Sequence, residues 1–295
     1  MPSCCPRCSR RSSRSRRTRW TGCSRRAPAA SARRSRSFPS STTTPSAPTA
    51  TSREARESLA IPVIASLNGV TAGGWLDYAK AIEQAGAHAI EINPYFVAAD
   101  PETTAQELEA RDRELVAELR RQVSVPLSVK LSPYFTALAH TARELAAAGA
   151  DGLTLFNRFY QRDLDLEHLC VEPRLELSSP HELLLPLRWV ALLHGKVDAS
   201  LAASTGVHGA SDVLKVLLAG ADVAMLASAL LLHGPAHLGV VRDEVRAWLE
   251  EREYESVAQL RGSVSARAVP DPEAFERANY RRTLQSYSTP HVRGA

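Results

Sequence analysis

Cysteine is scarce in the body of this 295-residue chain: of five, Cys4, Cys5, Cys8 and Cys23 crowd the N-terminus and only Cys170 lies further on. An isolated thiol excludes a disulfide-stapled secreted fold and suits a reducing cytoplasm. No stretch of about 18 apolar residues occurs, which excludes a membrane-spanning helix. No Gly-x-Gly-x-x-Gly follows the first apolar run, which weighs against a dinucleotide-binding open sheet. Lysine is rare as well, with Lys80, Lys130, Lys196 and Lys215 set against 32 arginines. Acidic residues are missing from residues 1–53, which hold 13 of the 36 basic side chains. Residues 54–295 therefore carry 23 basic against 32 acidic groups, a net charge of −9. An acidic body argues against nucleic acid as its partner.

The first 53 residues also lack Leu, Ile and Val and are built from Arg, Ser, Thr, Pro and Ala. Such a composition cannot form a core, so this leader is expected to be disordered. It has no apolar segment for a secretory signal. A basic nucleic-acid arm, an Arg- and Ser-rich transit peptide and a metal site on Cys5, Cys8 and Cys23 each match part of the pattern. The metal reading lacks a well-spaced fourth ligand, since no histidine precedes His88, and no metal is expected. The preferred reading is translation out of frame. The excess of arginine over lysine suggests a GC-rich gene, and such genes misread into Arg, Ser, Pro, Thr and Ala.

Beyond Ser58 short apolar runs alternate with amphipathic stretches. Strands are expected over 61–67, 87–93, 125–131, 152–156, 199–203 and 223–227, and helices over 74–85, 104–122, 138–148, 183–194 and 211–218. Three helices end at a glycine, Gly86, Gly149 or Gly220, followed at once by a strand. Strand, helix, strand at this spacing means parallel βαβ units. Polar residues at the strand ends, Asn68, Asn93, Lys130, Asn157 and Ser204, favour a closed barrel, where such ends meet at one mouth. The expected fold is α/β, a (β/α)8 TIM barrel with six of its eight βα units recognisable. The chain divides into the leader 1–53, a barrel body 54–266 and a polar tail 267–295. Between Arg158 and Leu185 the rhythm breaks, and 171–177 is expected to pair with 183–185 as a hairpin over the mouth. A helix over 237–252 is expected to pack outside, with Trp248 in the core.

In the strand 125–131, Ser128 and Lys130 share one face while Leu127, Val129 and Leu131 share the other. A buried ammonium is costly unless an anion or a polar ligand meets it. Lys130 thus pairs structurally with a neighbouring strand's carboxylate or faces a ligand. Further on, Ser204-Thr-Gly-Val-His-Gly-Ala-Ser-Asp212 and Ala227-Ser-Ala229 follow the last two strands. Main-chain N–H groups in such turns bind anions, and the last two βα loops of barrels often hold phosphate.

The segments Glu91-Ile-Asn93, Val129-Lys-Leu-Ser-Pro-Tyr-Phe135, Leu155-Phe-Asn157, Thr205-Gly-Val207, Ala219-Gly-Ala-Asp222 and Tyr254-Glu-Ser-Val257 occur in this order. Together they resemble the class 1 dihydroorotate dehydrogenases, and more closely the bacterial dihydroorotate dehydrogenase-like proteins, over about residues 53–288. The resemblance implies a (β/α)8 barrel carrying FMN, a role in pyrimidine biosynthesis in the cytoplasm, and hydride transfer from a substrate CH–CH group to flavin N5. It implies a small-molecule substrate, a separate electron acceptor and no membrane span, and it is compatible with a homodimer. Lys130 would sit by the pyrimidine edge of the flavin. Asn93 and Asn157 would bond flavin or substrate, with Asn68 on the substrate side. Gly206, Ala227 and Ser228 would hold the phosphate.

The chain departs from the family pattern in the loop Asn93-Pro-Tyr-Phe-Val-Ala98. Phe96 stands where a cysteine or serine takes the substrate proton, and Ala98 where an asparagine binds substrate. Phe96 accepts no proton. Its neighbour Tyr95 has a phenol with a pKa near about 10, a poor base at neutral pH. Arg158 replaces a serine and Thr205 a glycine. Two further readings stand beside the oxidoreductase: a non-redox phosphate-binding barrel, an aldolase or synthase with Lys130 as Schiff-base nucleophile, and an inactive truncated barrel with two exposed edges.

Overall fold

In a computed structural model of the chain the described residues are 46–68, 72–94, 96–172, 174–276 and 280–286. The leader is thus described only from Ser46, where helix α1 (Ser46–Ser58) runs across the boundary drawn at 53. Residues 1–45 lie outside the described residues.

Six parallel strands form one sheet: β1 (Ile64–Leu67), β2 (Ala89–Ile92), β3 (Leu127–Leu131), β4 (Gly152–Leu155), β7 (Ser200–Ala203) and β8 (Val223–Ala224). Each hydrogen-bonds the next in that order, and the sheet curls into a half-barrel. The six expected βα units are all present. The connecting helices are α2 (Ala72–Gln84), α3 (Ala105–Gln122), α4 (Leu138–Ala147), α5 (Leu184–Leu193) and α6 (Ala210–Ala219). They form where the apolar spacing asks for them. Trp75, Ala79 and Ile82 lie on one stripe of α2 and are buried, as positions four and three apart on a helix should be. Helix α3 starts at a capping box, in which the Thr104 hydroxyl accepts the Glu107 N–H and the Glu107 carboxylate accepts the Thr104 N–H.

Strand alternation follows the expected two faces. Leu127, Val129 and Leu131 of β3 are fully buried against the helices, whereas Ser128 and Lys130 are half-buried on the inner face. Burying each such apolar side chain stabilises by about 1.5–3 kcal/mol. At the sheet's two ends, Ile64 on β1 and Val223 on β8 are 60% and 50% exposed.

The hairpin expected from 171–177 and 183–185 does not form. A two-stranded antiparallel unit is instead made by β5 (Asp163–Asp165) and β6 (Cys170–Glu172), with Leu164 opposite Val171. Its turn is set by Asp165, whose carboxylate accepts the N–H groups of Glu167 and His168. Residues Pro180–Leu183 form a 3-10 turn that leads directly into α5. Pro180 at the first position and the Glu182 carboxylate accepting the Ser179 N–H at 2.6 Å start a helix there, which removes Leu183–Leu185 from strand pairing.

Beyond β8 come α7 (Ser228–His233), α8 (His237–Glu251) and α9 (Val257–Leu260). Trp248 of α8 packs in a small apolar cluster with Leu214, Leu217 and Leu260 and stacks on Tyr254. In the tail, a 3-10 turn at Pro272–Phe275 is held by the Arg188 guanidinium, which donates to the Phe275 and Glu276 carbonyls. A last helix, α10, spans Tyr280–Gln285.

Candidate functional site

The inner face of the sheet carries a polar chain. Register places Glu91 of β2 beside Ser66 of β1 and Ser128 of β3, and Lys130 of β3 beside Thr154 of β4. The Glu91 carboxylate, 5% exposed, accepts the Ser66 hydroxyl at 2.8 Å and the Thr154 hydroxyl at 2.8 Å. The Lys130 ammonium stands 3.7 Å from the same carboxylate. The structural pairing weighed for Lys130 is thus present, and Lys130 also borders an open space.

That space is a cavity of about 260 Å³ at the C-terminal ends of β3, β4, β7 and β8. Its polar wall holds Lys130, Asn157, Arg158, Ser178, Ser204, Thr205, Gly206 and Ser228. Its apolar wall includes Leu177, Val207, Met225, Leu226 and Leu231. The turn after β7 is built on two left-handed residues, Thr205 at φ 80° and Gly206 at φ 79°. A Cβ on Gly206 would lie 2.3 Å from the Leu183 nitrogen, so only glycine fits. Thr205 adopts the same backbone region with a β-branched side chain, a strained choice. Its hydroxyl lies 3.4 Å from the Phe156 carbonyl.

Ser178 ties this turn together. Its N–H and its hydroxyl both donate to the Ser228 hydroxyl oxygen, at 3.0 and 2.8 Å, and its Oγ accepts the Gly206 N–H at 3.4 Å. His208 Nε2 lies 3.4 Å from the same oxygen. Arg158 pins the segment that carries Ser178, donating to the Glu182 carboxylate and to the carbonyls of Glu176 and Leu177. Burial works to raise the Glu182 carboxyl. The Ser179 N–H and the Arg158 guanidinium outweigh that effect and hold the carboxyl below its ordinary value.

Lys130, Asn157, Gly206, Ala227 and Ser228 all border this one cavity, together with Ser204. Asn93 stands just past β2 with its Oδ1 buried and without a hydrogen-bond partner, and it does not line the cavity. Asn68 is exposed beyond β1. Phe96 is 48% exposed, with the Arg111 guanidinium 4.4 Å from its ring centroid, a cation–π contact. Tyr95 lies outside the described residues. Sequence reasoning overlooked Glu91 and Ser178. Glu91 carried the same signal as Lys130, a lone charge between Ile90 and Ile92 in a buried strand. Ser178 offered no comparable signal, because its partners Ser228 and Gly206 are 50 and 28 positions away.

A curled parallel sheet with a lysine on its inner face and a glycine turn at the ends of its last strands defines a βα-barrel protein with its site at the strands' C-terminal mouth. Within that class, the dihydroorotate dehydrogenase family model matches residues 44–249, and the chain belongs to that family. The catalytic subunit of dihydroorotate dehydrogenase B (NAD(+)) from Bacillus mycoides is 29% identical over 216 residues, covering 70% of this chain and 68% of that protein. The corresponding subunit from Halalkalibacterium halodurans is 27% identical over 215 residues, 68% of each chain. No helix among the described residues is long and apolar enough to cross a membrane.

Proposed function

We propose that this chain is an FMN-dependent oxidoreductase of the dihydroorotate dehydrogenase type, taking a hydride from a small CH–CH substrate and passing the electrons to a separate acceptor. One observation carries the reading: Lys130, Asn157, Gly206, Ala227 and Ser228, from four different strand ends, border a single cavity. The donor set suits FMN. The Gly206 N–H and the Ser178 and Ser228 hydroxyls are suited to a phosphate, and the left-handed pair Thr205 and Gly206 shapes the turn that carries them to the cavity. The Leu177, Val207, Met225 and Leu226 walls suit an apolar ring system. A volume of about 260 Å³ accommodates part of such a ligand, since whole ligand sites span about 300–1,000 Å³.

When bound, FMN supplies a two-electron acceptor at N5. The chain's own contribution is binding and electrostatics. The Lys130 ammonium offers fixed positive charge where negative charge develops, and the buried Asn93 Oδ1 offers an acceptor for a ligand N–H. Phe96 brings no proton acceptor to the loop after β2, and with Ala98 it argues for a substrate other than dihydroorotate. The Schiff-base reading fares worse, because the Lys130 amine is engaged by the Glu91 carboxylate at 3.7 Å and is not free at the cavity for attack on a carbonyl.

The test is anaerobic mixing of the FMN-loaded chain with dihydroorotate and a panel of CH–CH donors. Bleaching of the visible flavin band by at least one donor is expected. If dithionite bleaches the band and no donor does, the oxidoreductase reading fails.

A further inference from the structure

We infer that Glu91 is a positioning residue, which fixes the Lys130 ammonium at the cavity and sets the net charge presented there. The inference deepens the flavin reading and rests on it for its functional consequence, while the positioning itself is tested without cofactor.

Glu91 is clamped across four strands. Ser66 of β1 donates to Oε1 and Thr154 of β4 to Oε2, each at 2.8 Å, and Thr154 lies 3.4 Å from Ser128 of β3. Both carboxylate oxygens are thereby fixed before Lys130 is considered. The ammonium then meets Oε1 at 3.7 Å, outside hydrogen-bond distance but within ion-pair range. Stability alone is a weak reason for this arrangement, since well-packed apolar residues in place of a buried ion pair often leave a fold as stable or more so. The flanking Ile90 and Ile92 are fully buried on the opposite face, so the carboxylate does not serve the helix–sheet core. Lys130 alone of the group borders the cavity. A cation held by a rigid counter-charge offers one geometry and a partly neutralised field to whatever binds there. Without Glu91 the same lysine would be free to swing and would present a full unit charge.

The four lysines make a direct test, because Lys80, Lys196 and Lys215 are exposed and serve as internal references. The ligand-free chain is treated with formaldehyde and cyanoborohydride, and methylation at each lysine is followed by peptide mass spectrometry. An amine held against a fixed carboxylate reacts in the fraction of time it spends away from its partner, and loss of a close charge pair changes such a fraction about tenfold. In a folded Glu91→Gln variant, which keeps hydrogen-bonding capacity towards Ser66 and Thr154, Lys130 is therefore expected to methylate about tenfold faster or more, with the three references unchanged. Glu91→Asp, keeping the charge, should restore much of the protection. An unchanged Lys130 rate in folded Glu91→Gln overturns the inference, because a merely structural carboxylate would alter melting and not this ratio. If Glu91→Gln does not fold, Thr154→Val is read in the same way, with a smaller selective rise expected and no rise overturning the inference. With FMN bound, Glu91→Gln should move the flavin midpoint potential in the positive direction. Selective release of Lys130 in a chain that binds no FMN leaves the positioning in place and defeats the flavin reading instead.

Discussion

The Arg158 guanidinium, just past β4, donates from Nε to Glu182 Oε1 at 2.9 Å and so joins the mouth of the half-barrel to the turn that opens α5. Arg158→Ala is expected to loosen residues 175–178, seen as amide exchange faster by roughly tenfold, the equivalent of one lost charge-assisted hydrogen bond. Because the Glu182 carboxyl is held below its ordinary 4.5, its contribution is complete above that value and is lost as pH falls through the depressed one. The difference between wild type and variant should therefore narrow as pH falls through that depressed value.

Glu83 at the end of α2 joins helix to strand by accepting the Ser124 hydroxyl and N–H at 2.7 Å and the Val125 N–H at 3.2 Å. The Ser124 hydroxyl, with these N–H groups, lowers its carboxyl against the opposing effect of burial. Glu83→Gln should cost about 1 kcal/mol at pH 7. The sign follows from a depressed folded value: the cost is full above the ordinary 4.5 and diminishes as pH falls through the depressed value, which denaturant melts over a descending pH series would show.

Asp112 lies on the buried stripe of α3 with Val116 and Leu119. Burial raises its carboxyl, and the adjacent Arg111 only partly opposes this. A raised folded value means that ionisation costs stability, so this group's contribution improves as pH falls. Asp112→Asn is expected to stabilise the chain at pH 7 by up to about 1 kcal/mol and to give no gain in acid. Thermal melts at the two pH values check it.

Gly206→Ala forces a Cβ to 2.3 Å from the Leu183 nitrogen at φ +79°. A loss of about 1–3 kcal/mol is expected, together with weakened binding of phosphate-bearing ligands. Calorimetric melting gives the first quantity and FMN titration the second.

The βαβ rhythm was legible because strand alternation and glycine helix ends are local signals, and each of the six strands lies within its expected range. The 163–172 hairpin was not. Asp163 and Asp165 are poor strand formers, and the pairing depends on the turn that Asp165 organises. Lys130 stood out in sequence as a charge in an apolar strand. Glu91 carried the same local signal, but their pairing was not legible, since 39 positions separate the two and only register across β2 and β3 brings them together. The glycine turn after β7 was visible, whereas Ser178, which ties it to Ser228, lies in the irregular stretch where periodicity gives no guidance.

The central claim is that the Lys130 cavity holds FMN by its phosphate and its ring. Titration of FMN and of riboflavin against the purified chain and a Lys130→Met variant, followed by quenching of flavin fluorescence, tests it most directly. The account predicts saturable FMN binding to the wild type, with Kd at least about tenfold weaker for riboflavin, which lacks the phosphate, and weaker again for FMN on the variant. No saturable binding to the wild type, or equal binding of FMN and riboflavin, would contradict it.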